Sequence, residues 1–407
     1  MTARGAAVLV SACAAVAVAM SACASEGVVG SLATGNEGGV AVSPEASVAA
    51  EDAGEELPLV PLARPIAAGG ASTCVKTTVG DTRCWGENGT GSLGIGEASI
   101  TATAEPVTPT VVGRVKALAG GEAAQCAIRT GGTLYCWGDV AVELSGVPNG
   151  PDHLPVMTPF SLDSVTGDVA TVAVGRYFTC TISLTGELRC FGLNDKGQLG
   201  LGSTTKQLLP TAVKGLDARA TSVSASMGGL FACATTSTGA VYCWGDNGDG
   251  QIGPGSALVT APRRIEGLPA RAVEVVAGGA HACARLVTGR VACWGRGEEG
   301  QLGDGASTSR EAPVLADITD VVGLAAGRRH TCAVRSEGSV LCWGDDSDGQ
   351  AGDTPGSERP WMAVPSSFGA RHVVCGLAHT CAWGDGGQVR CFGSDTRSQL
   401  GPRTATF

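Results

Sequence analysis

Apolar residues along the chain come in short bursts separated by Gly, Asp, Asn and Ser. PRRIEGL (262–268), AVEVVAGG (272–279), HACARL (281–286) and RVACWG (290–295) form one set of four bursts. Runs of this length bounded by turn residues predict short strands. The set recurs, and cysteine makes the recurrence countable. Cys74/Cys84, Cys126/Cys136, Cys180/Cys190, Cys233/Cys243, Cys283/Cys293, Cys332/Cys342 and Cys381/Cys391 are seven pairs, each ten residues apart, spaced every 49 to 54 residues. A Gly stands five before each first Cys (Gly69, Gly121, Gly175, Gly228, Gly278, Gly327, Gly376). Another stands six after it (Gly80, Gly132, Gly186, Gly239, Gly289, Gly338, Gly387). Each second Cys precedes an aromatic-Gly pair, at Trp85, Trp137, Phe191, Trp244, Trp294, Trp343 and Phe392.

These offsets predict a hairpin in every unit. Cysteines ten apart on antiparallel strands face each other, and the second Gly falls just past the midpoint. A three-residue loop, a type I turn followed by a left-handed residue, needs positive φ there. Opposed ladder positions lie about 4.5–5.5 Å apart at Cα, within disulfide reach. Seven intra-hairpin disulfides are therefore expected, each adding roughly 2–3 kcal/mol on the chain-entropy model. Zinc is the alternative, but its sites favour two to four residues between cysteines with His nearby. Four short strands per unit, seven times over, is the arithmetic of an all-β, seven-bladed β-propeller with four-stranded blades.

With the repeat in hand, composition adds limits. The 43% apolar content argues for a folded core despite 62 glycines. A formal net charge of −10 leaves no basic excess to neutralise phosphates, so no nucleic-acid partner is expected. Residues 1–22 read as a lipoprotein signal peptide, with Arg4 as the only charge and an apolar run from Ala6 to Met20. Met20-Ser21-Ala22-Cys23 resembles a lipobox, with Cys23 as the acylated residue. An ordinary signal peptide cut near Ala22 or Ala24 is the alternative. Either sends the chain to an oxidising compartment. Residues 23–56 read as a disordered acidic tether, and 57–407 as the propeller. The expected location is the bacterial cell envelope, lipid-anchored and at the outer membrane.

GGAHACARLVTGRVACWGRGEEGQLG, GRRHTCAVRSEGSVLCWGDDSDGQAG and GRYFTCTISLTGELRCFGLNDKGQLG share the grammar G-x-x-H-x-C-A, G-x-V-x-C-W-G, G-Q-L-G. It resembles the regulator of chromosome condensation repeat, over about 66–401. The resemblance implies a seven-bladed propeller and says little about function. The family includes a nuclear exchange factor for a small GTPase, a role that export makes implausible here. It also includes a secreted propeller that inhibits β-lactamases, a precedent for a pure binding module. Two units depart from the pattern. Unit 2 has DVAVELSGVPNGPDHLPVMTPF (139–160) in place of the GQLG turn. The last unit ends soon after SQLG (398–401), and LPLVPL (57–62) is a candidate to supply its fourth strand.

No catalytic constellation stands out: there is no H-E-x-x-H, Walker loop, G-x-S-x-G or C-x-x-C. His281, His330 and His379 occupy one repeat position, filled elsewhere by Phe178, Phe231, Ser72 and Ala124, and read as packing. DNGDG (246–250) and DDSDG (345–349) read as turns rather than calcium loops. Cys375 replaces an apolar strand residue and reads as a buried, inert thiol. No metal or cofactor is expected. The hairpin grammar assigns Gly289 to a left-handed conformation and makes no such demand of Gly300.

Strand parity divides the rest. The G-x-x-H and GQLG loops share one face, and the hairpin tips occupy the other. The first face carries Glu122, Arg176, Tyr177, Arg328 and Arg329, with Asp246, Asp249, Asp345, Asp346 and Asp348. Mixed charge with an aromatic suits partner binding. The expectation is a non-enzymatic, monomeric binding or scaffold propeller for an extracytoplasmic protein or glycan. An enzyme acting on envelope polysaccharide, or a structural spacer, are the alternatives.

Overall fold

The computed structural model describes residues 56–59, 64–97, 101–110, 112–140, 154–162, 168–352, 357–402 and 404–407. The signal peptide, Cys23 and residues 141–153 of the unit 2 departure lie outside the described residues. So does all of the predicted tether except Glu56.

Seven four-stranded antiparallel sheets follow one another along the chain, over 66–107, 115–161, 169–212, 220–264, 272–315, 321–364 and 370–406. They are numbered here as blades 1 to 7. Blade 5 stands for the rest. Its inner strand Ala272–Ala277 pairs with His281–Leu286, which pairs with Val291–Gly295, which pairs with Arg310–Leu315.

The cysteines sit directly opposite each other in every blade, and all seven predicted disulfides form. Cys74 bonds Cys84 in blade 1, Cys126 bonds Cys136 in blade 2, and Cys180 bonds Cys190 in blade 3. Cys233 bonds Cys243 in blade 4, and Cys283 bonds Cys293 in blade 5. Cys332 bonds Cys342 in blade 6, and Cys381 bonds Cys391 in blade 7. No disulfide joins two blades among the described residues. One detail departs from expectation. The Cα atoms of each pair are 4.1 Å apart, closer than the 4.5–5.5 Å anticipated for opposed ladder positions. The ladder accounts for it. The hairpin loop of blade 5 is closed by the Leu286 N–H on the Arg290 carbonyl. Counting back from that hydrogen-bonded pair, Cys283 and Cys293 fall on a non-hydrogen-bonded pair, where strands approach most closely.

The core is divided into seven parts. Each apolar cluster draws on two adjacent blades, as where Phe231, Val241 and Ile252 of blade 4 meet Val275, Leu286 and Trp294 of blade 5. The last cluster joins Val374 and Leu400 of blade 7 to Ile66 and Trp85 of blade 1. No blade buries its faces alone; each depends on its neighbours in the ring.

The repeat residues explain how blades join. The side chain of Gln301 closes its own turn by accepting the Glu299 N–H at 3.0 Å. Its backbone carbonyl turns to blade 6, accepting the Trp343 indole N–H at 2.8 Å and the Thr331 hydroxyl at 3.0 Å. His281 of blade 5 reaches the same Thr331 from Nε2 at 2.8 Å. Because Thr331 spends its proton on the carbonyl, His281 donates from Nε2. Gly303, the last residue of GQLG, lies flat under this indole: a Cβ there would sit 2.7 Å from Trp343 Nε1.

The ring closes with the same parts. Gln399 O of blade 7 accepts from Trp85 Nε1 at 2.9 Å and Thr73 Oγ1 at 3.0 Å of blade 1, and His379 Nε2 meets Thr73 at 3.1 Å. Phe407 stacks on Trp85, centroids 5.4 Å apart. The expectation that LPLVPL completes the last blade is wrong. The C-terminal strand Thr404–Thr406 does so, pairing with Gln388–Gly393. A strand of three residues is too short for an apolar pattern to register.

Candidate functional site

The two faces differ in how their loops are used. At the tips, Leu286 and Arg290 flank the three-residue loop Val287-Thr288-Gly289, and Gly289 has φ +73°, as the hairpin reading requires. The Gly289 carbonyl then accepts the N–H of Val321, the first inner-strand residue of blade 6, at 2.9 Å. The equivalent carbonyls of Gly80, Gly132, Gly186, Gly239 and Gly338 staple the next blade in the same way. Tip length is fixed because the tip is part of the inter-blade joint.

The N-terminal segment meets this same face. Leu57 N donates to Ser237 O at the tip of blade 4, at 2.7 Å, and Glu56 pairs with Arg219 at 3.2 Å.

On the opposite face, the predicted candidates are brought together in two places. Glu122 of blade 2 and Arg176 of blade 3 form an ion pair at 3.2 Å, and the Arg176 guanidinium lies 5.5 Å from the Tyr177 ring centroid. Tyr177 has φ +60°, a conformation unfavourable for any residue with a side chain. Strain of this kind clusters at functional sites. The second place is the G-x-x-H loop of blade 6, whose Arg328 borders the channel mouth. Arg329 pairs with Glu299 at 3.6 Å. Arg328 is exposed, and its side chain lies against Gly228 and Gly279. Leu377 of blade 7, which sequence reasoning missed, lies beside Gly70 of blade 1 and also beside Gly228 of blade 4, so it spans the mouth. Only its place in the ring reveals it.

Of the acidic residues read onto this face, Asp346 is buried. Its Oδ1 accepts the Ala351 N–H at 2.6 Å, as Asn247 does for Ile252 and Asn194 for Leu199. That position is turn scaffolding, which bears out the turn reading of DDSDG and removes Asp346 from the binding candidates.

The three histidines are fully buried. Burial holds His281 and His379 down at about 4, and His330, which also feels the other two, at about 3. They are neutral packing groups. Burial pushes the Cys375 thiol up to about 12, so it is not a nucleophile at neutral pH. His330, Cys332 and Cys375 bring ligand atoms within 4.8 Å of one another. Cys332 is consumed in its disulfide with Cys342, so this is no thiolate metal set.

A central channel of about 340 Å³ runs between the inner strands, lined mainly by Ala and Val, with Thr171, Thr221, Ser222 and Ser224 from blades 3 and 4. At the tip end it is charged. Arg64, just before blade 1, crosses to Glu274 of blade 5 at 2.8 Å, and Arg285 holds the other oxygen at 3.2 Å. Glu274 is the one carboxylate lining the channel among the described residues. The paired carboxylates of glycoside hydrolysis are therefore not assembled there. A lone charge inside AVEVVA was the available signal.

Sequence models described as "Regulator of chromosome condensation (RCC1) repeat" match 169–198, 221–251, 272–301 and 321–350, and in a second form 185–235, 238–285 and 288–334. The chain carries RCC1 repeats. As an RCC1-repeat propeller it is 31% identical over 215 residues to the E3 ubiquitin-protein ligase HERC2 of Homo sapiens, covering 52% of this chain and 4% of that protein. It is 31% identical over 191 residues to the Ultraviolet-B receptor UVR8 of Arabidopsis thaliana, covering 46% of this chain and 42% of the receptor. The chain thus spans less than half the length of these curated relatives. The structure of Kap60 bound to yeast RCC1 (Prp20) superposes with a TM-score of 0.68 at 19% identity, over 86% of this chain and 82% of that one, a likeness of fold.

Proposed function

We propose that this RCC1-repeat propeller is an exported, lipid-anchored binding module that recognises a protein through the face of its G-x-x-H and GQLG loops. The observation that carries the reading is the contrast between faces. The tips are committed to stapling blades and to the N-terminal segment. The other face presents Arg176, the strained Tyr177, Arg328 and Arg329 outward from a rigid frame. Arg and Tyr are favoured anchors in protein interfaces, where truncation of a central one costs about 2 kcal/mol or more. The family's solved relatives include a propeller bound to a protein, Kap60, which makes a protein ligand a natural class.

The test combines Arg176→Ala, Tyr177→Ala, Arg328→Ala and Arg329→Ala, and compares capture of cell-surface proteins with Thr288→Ala/Glu337→Ala at the tips. The quadruple variant is expected to lose the partner that the tip variant retains; the reverse result refutes the reading. For the anchor, Cys23→Ser is expected to move the protein from the membrane to the soluble fraction. Unchanged membrane retention contradicts lipidation.

A further inference from the structure

The charged end of the channel is a built arrangement. Arg64 is pinned through its carbonyl, which accepts the Leu118 N–H of blade 2 at 3.1 Å, while its side chain crosses to blade 5. Arg64 and Arg285 share the single carboxylate of Glu274, one through Nη2 and the other through Nε. Their remaining guanidinium N–H groups have no partner among the described residues. His372 of blade 7 borders the cluster. Burial and the neighbouring Arg64 charge hold it down at about 4 despite Glu274, so it is uncharged at neutral pH. Arg371 also lines the channel, but Asp385 holds it in an ion pair, so the cluster itself carries two positive charges and one negative. Thr171 adds a second kind of observation. Its Oγ1 is buried without a partner, it lines the channel, and it is the third residue of its inner strand, as Glu274 is of its own. Above this polar layer the inner strands present Ala67, Ala119, Ala173, Val276, Ala325 and Val374, with Ser224 as the one polar residue of that level.

We propose that the channel is a second ligand site, which takes a compact monoanion with an apolar chain, of the alkyl carboxylate class. The head group pairs with the free donors of Arg64 and Arg285, which match a carboxylate in geometry. The alkyl chain lies along the Ala and Val walls. A monoanion neutralises the net positive charge of the cluster, a dianion over-fills it, and a cation is repelled. About 340 Å³ is at the small end of ligand pockets, roughly 300–1,000 Å³, which limits the chain to a short one. This inference stands apart from the protein-binding face, since it uses the other end of the channel.

The experiment titrates the purified full chain with n-alkyl carboxylates from acetate to decanoate by calorimetry, with octylammonium as the charge control. Affinity is expected to rise with length by about fourfold per methylene, then level off once the channel is full. Octylammonium is expected not to bind. Arg285→Gln is expected to weaken octanoate at least tenfold. Glu274→Gln, nearly the same shape, is expected to tighten it severalfold, because it removes the competing carboxylate. A merely structural cluster predicts the opposite sign for that variant. The proposal is overturned if the wild-type chain binds no carboxylate saturably, if octylammonium binds as well as octanoate, or if Glu274→Gln weakens binding as Arg285→Gln does. The length series needs no variant and is independent of how any substitution folds.

Discussion

The tip face and the loop face are built on the same repeat, yet they divide constancy differently. At the tips the outermost residues are constrained: loop length, the left-handed Gly and its stapling carbonyl are part of the joint to the next blade. On the loop face the constrained residues point inward. The Gln carbonyl, the Asn or Asp side chain at the turn and the Gly beneath the indole serve the ring. What projects outward there is free to differ between blades, and it does, from Gly279-Ala280 in blade 5 to Arg328-Arg329 in blade 6. A fixed repeat position therefore marks assembly, and recognition belongs to the positions between.

The largest effect that sharpens this contrast is expected at Gly303. Gly303→Val combines φ +70° with an overlap on buried Trp343, so a loss of about 4 kcal/mol or more is expected in chemical unfolding, or no folded protein. A loop-face residue would then matter more than a tip residue, because it points inward.

Next is a pH effect of up to about 3 kcal/mol at its acid end, from His281. Its folded value near 4 lies below its ordinary 6.5. The unfolded chain then binds more protons between these values, so stability is full above about pH 6.5 and falls as pH drops toward 4. Phe178 and Phe231 already fill this position in blades 3 and 4. His281→Phe is therefore expected to fold and to make the fall shallower by the His281 share, while His330, His372 and His379 keep theirs, read from unfolding midpoints across pH 4 to 7. An unchanged slope contradicts the buried neutral histidine.

The smallest is Gly289→Val. A Cβ there meets nothing closer than 3.5 Å, so only the backbone conformation is penalised, by roughly 1–2 kcal/mol. Equal midpoints for Gly303→Val and Gly289→Val would break the comparison. Gly300 is no neutral reference for either, contrary to the hairpin grammar, which leaves it unconstrained. It has φ +79°, because the turn that leads into GQLG is itself left-handed there.

Blade number, strand order, disulfide pairing and hairpin loop were legible because each rests on a spacing repeated seven times. The last blade's fourth strand was not, since three residues leave no period to read. The division of faces followed from strand parity alone. What parity could not supply was depth: Asp346 and Arg328 lie on the same face, yet one is buried in its turn and the other overhangs the channel. Leu377 and Arg64 were illegible because their partners lie across the ring, on blades 4 and 5, where no local pattern reaches.

The central claim is that recognition sits on the loop face and assembly on the tip face. Its most direct test places a photo-crosslinking amino acid at position 328 or, in a second protein, at position 288, and irradiates each at the native cell surface. The account predicts a discrete crosslinked protein from position 328 and none in common from position 288. A partner captured from position 288 alone would contradict it.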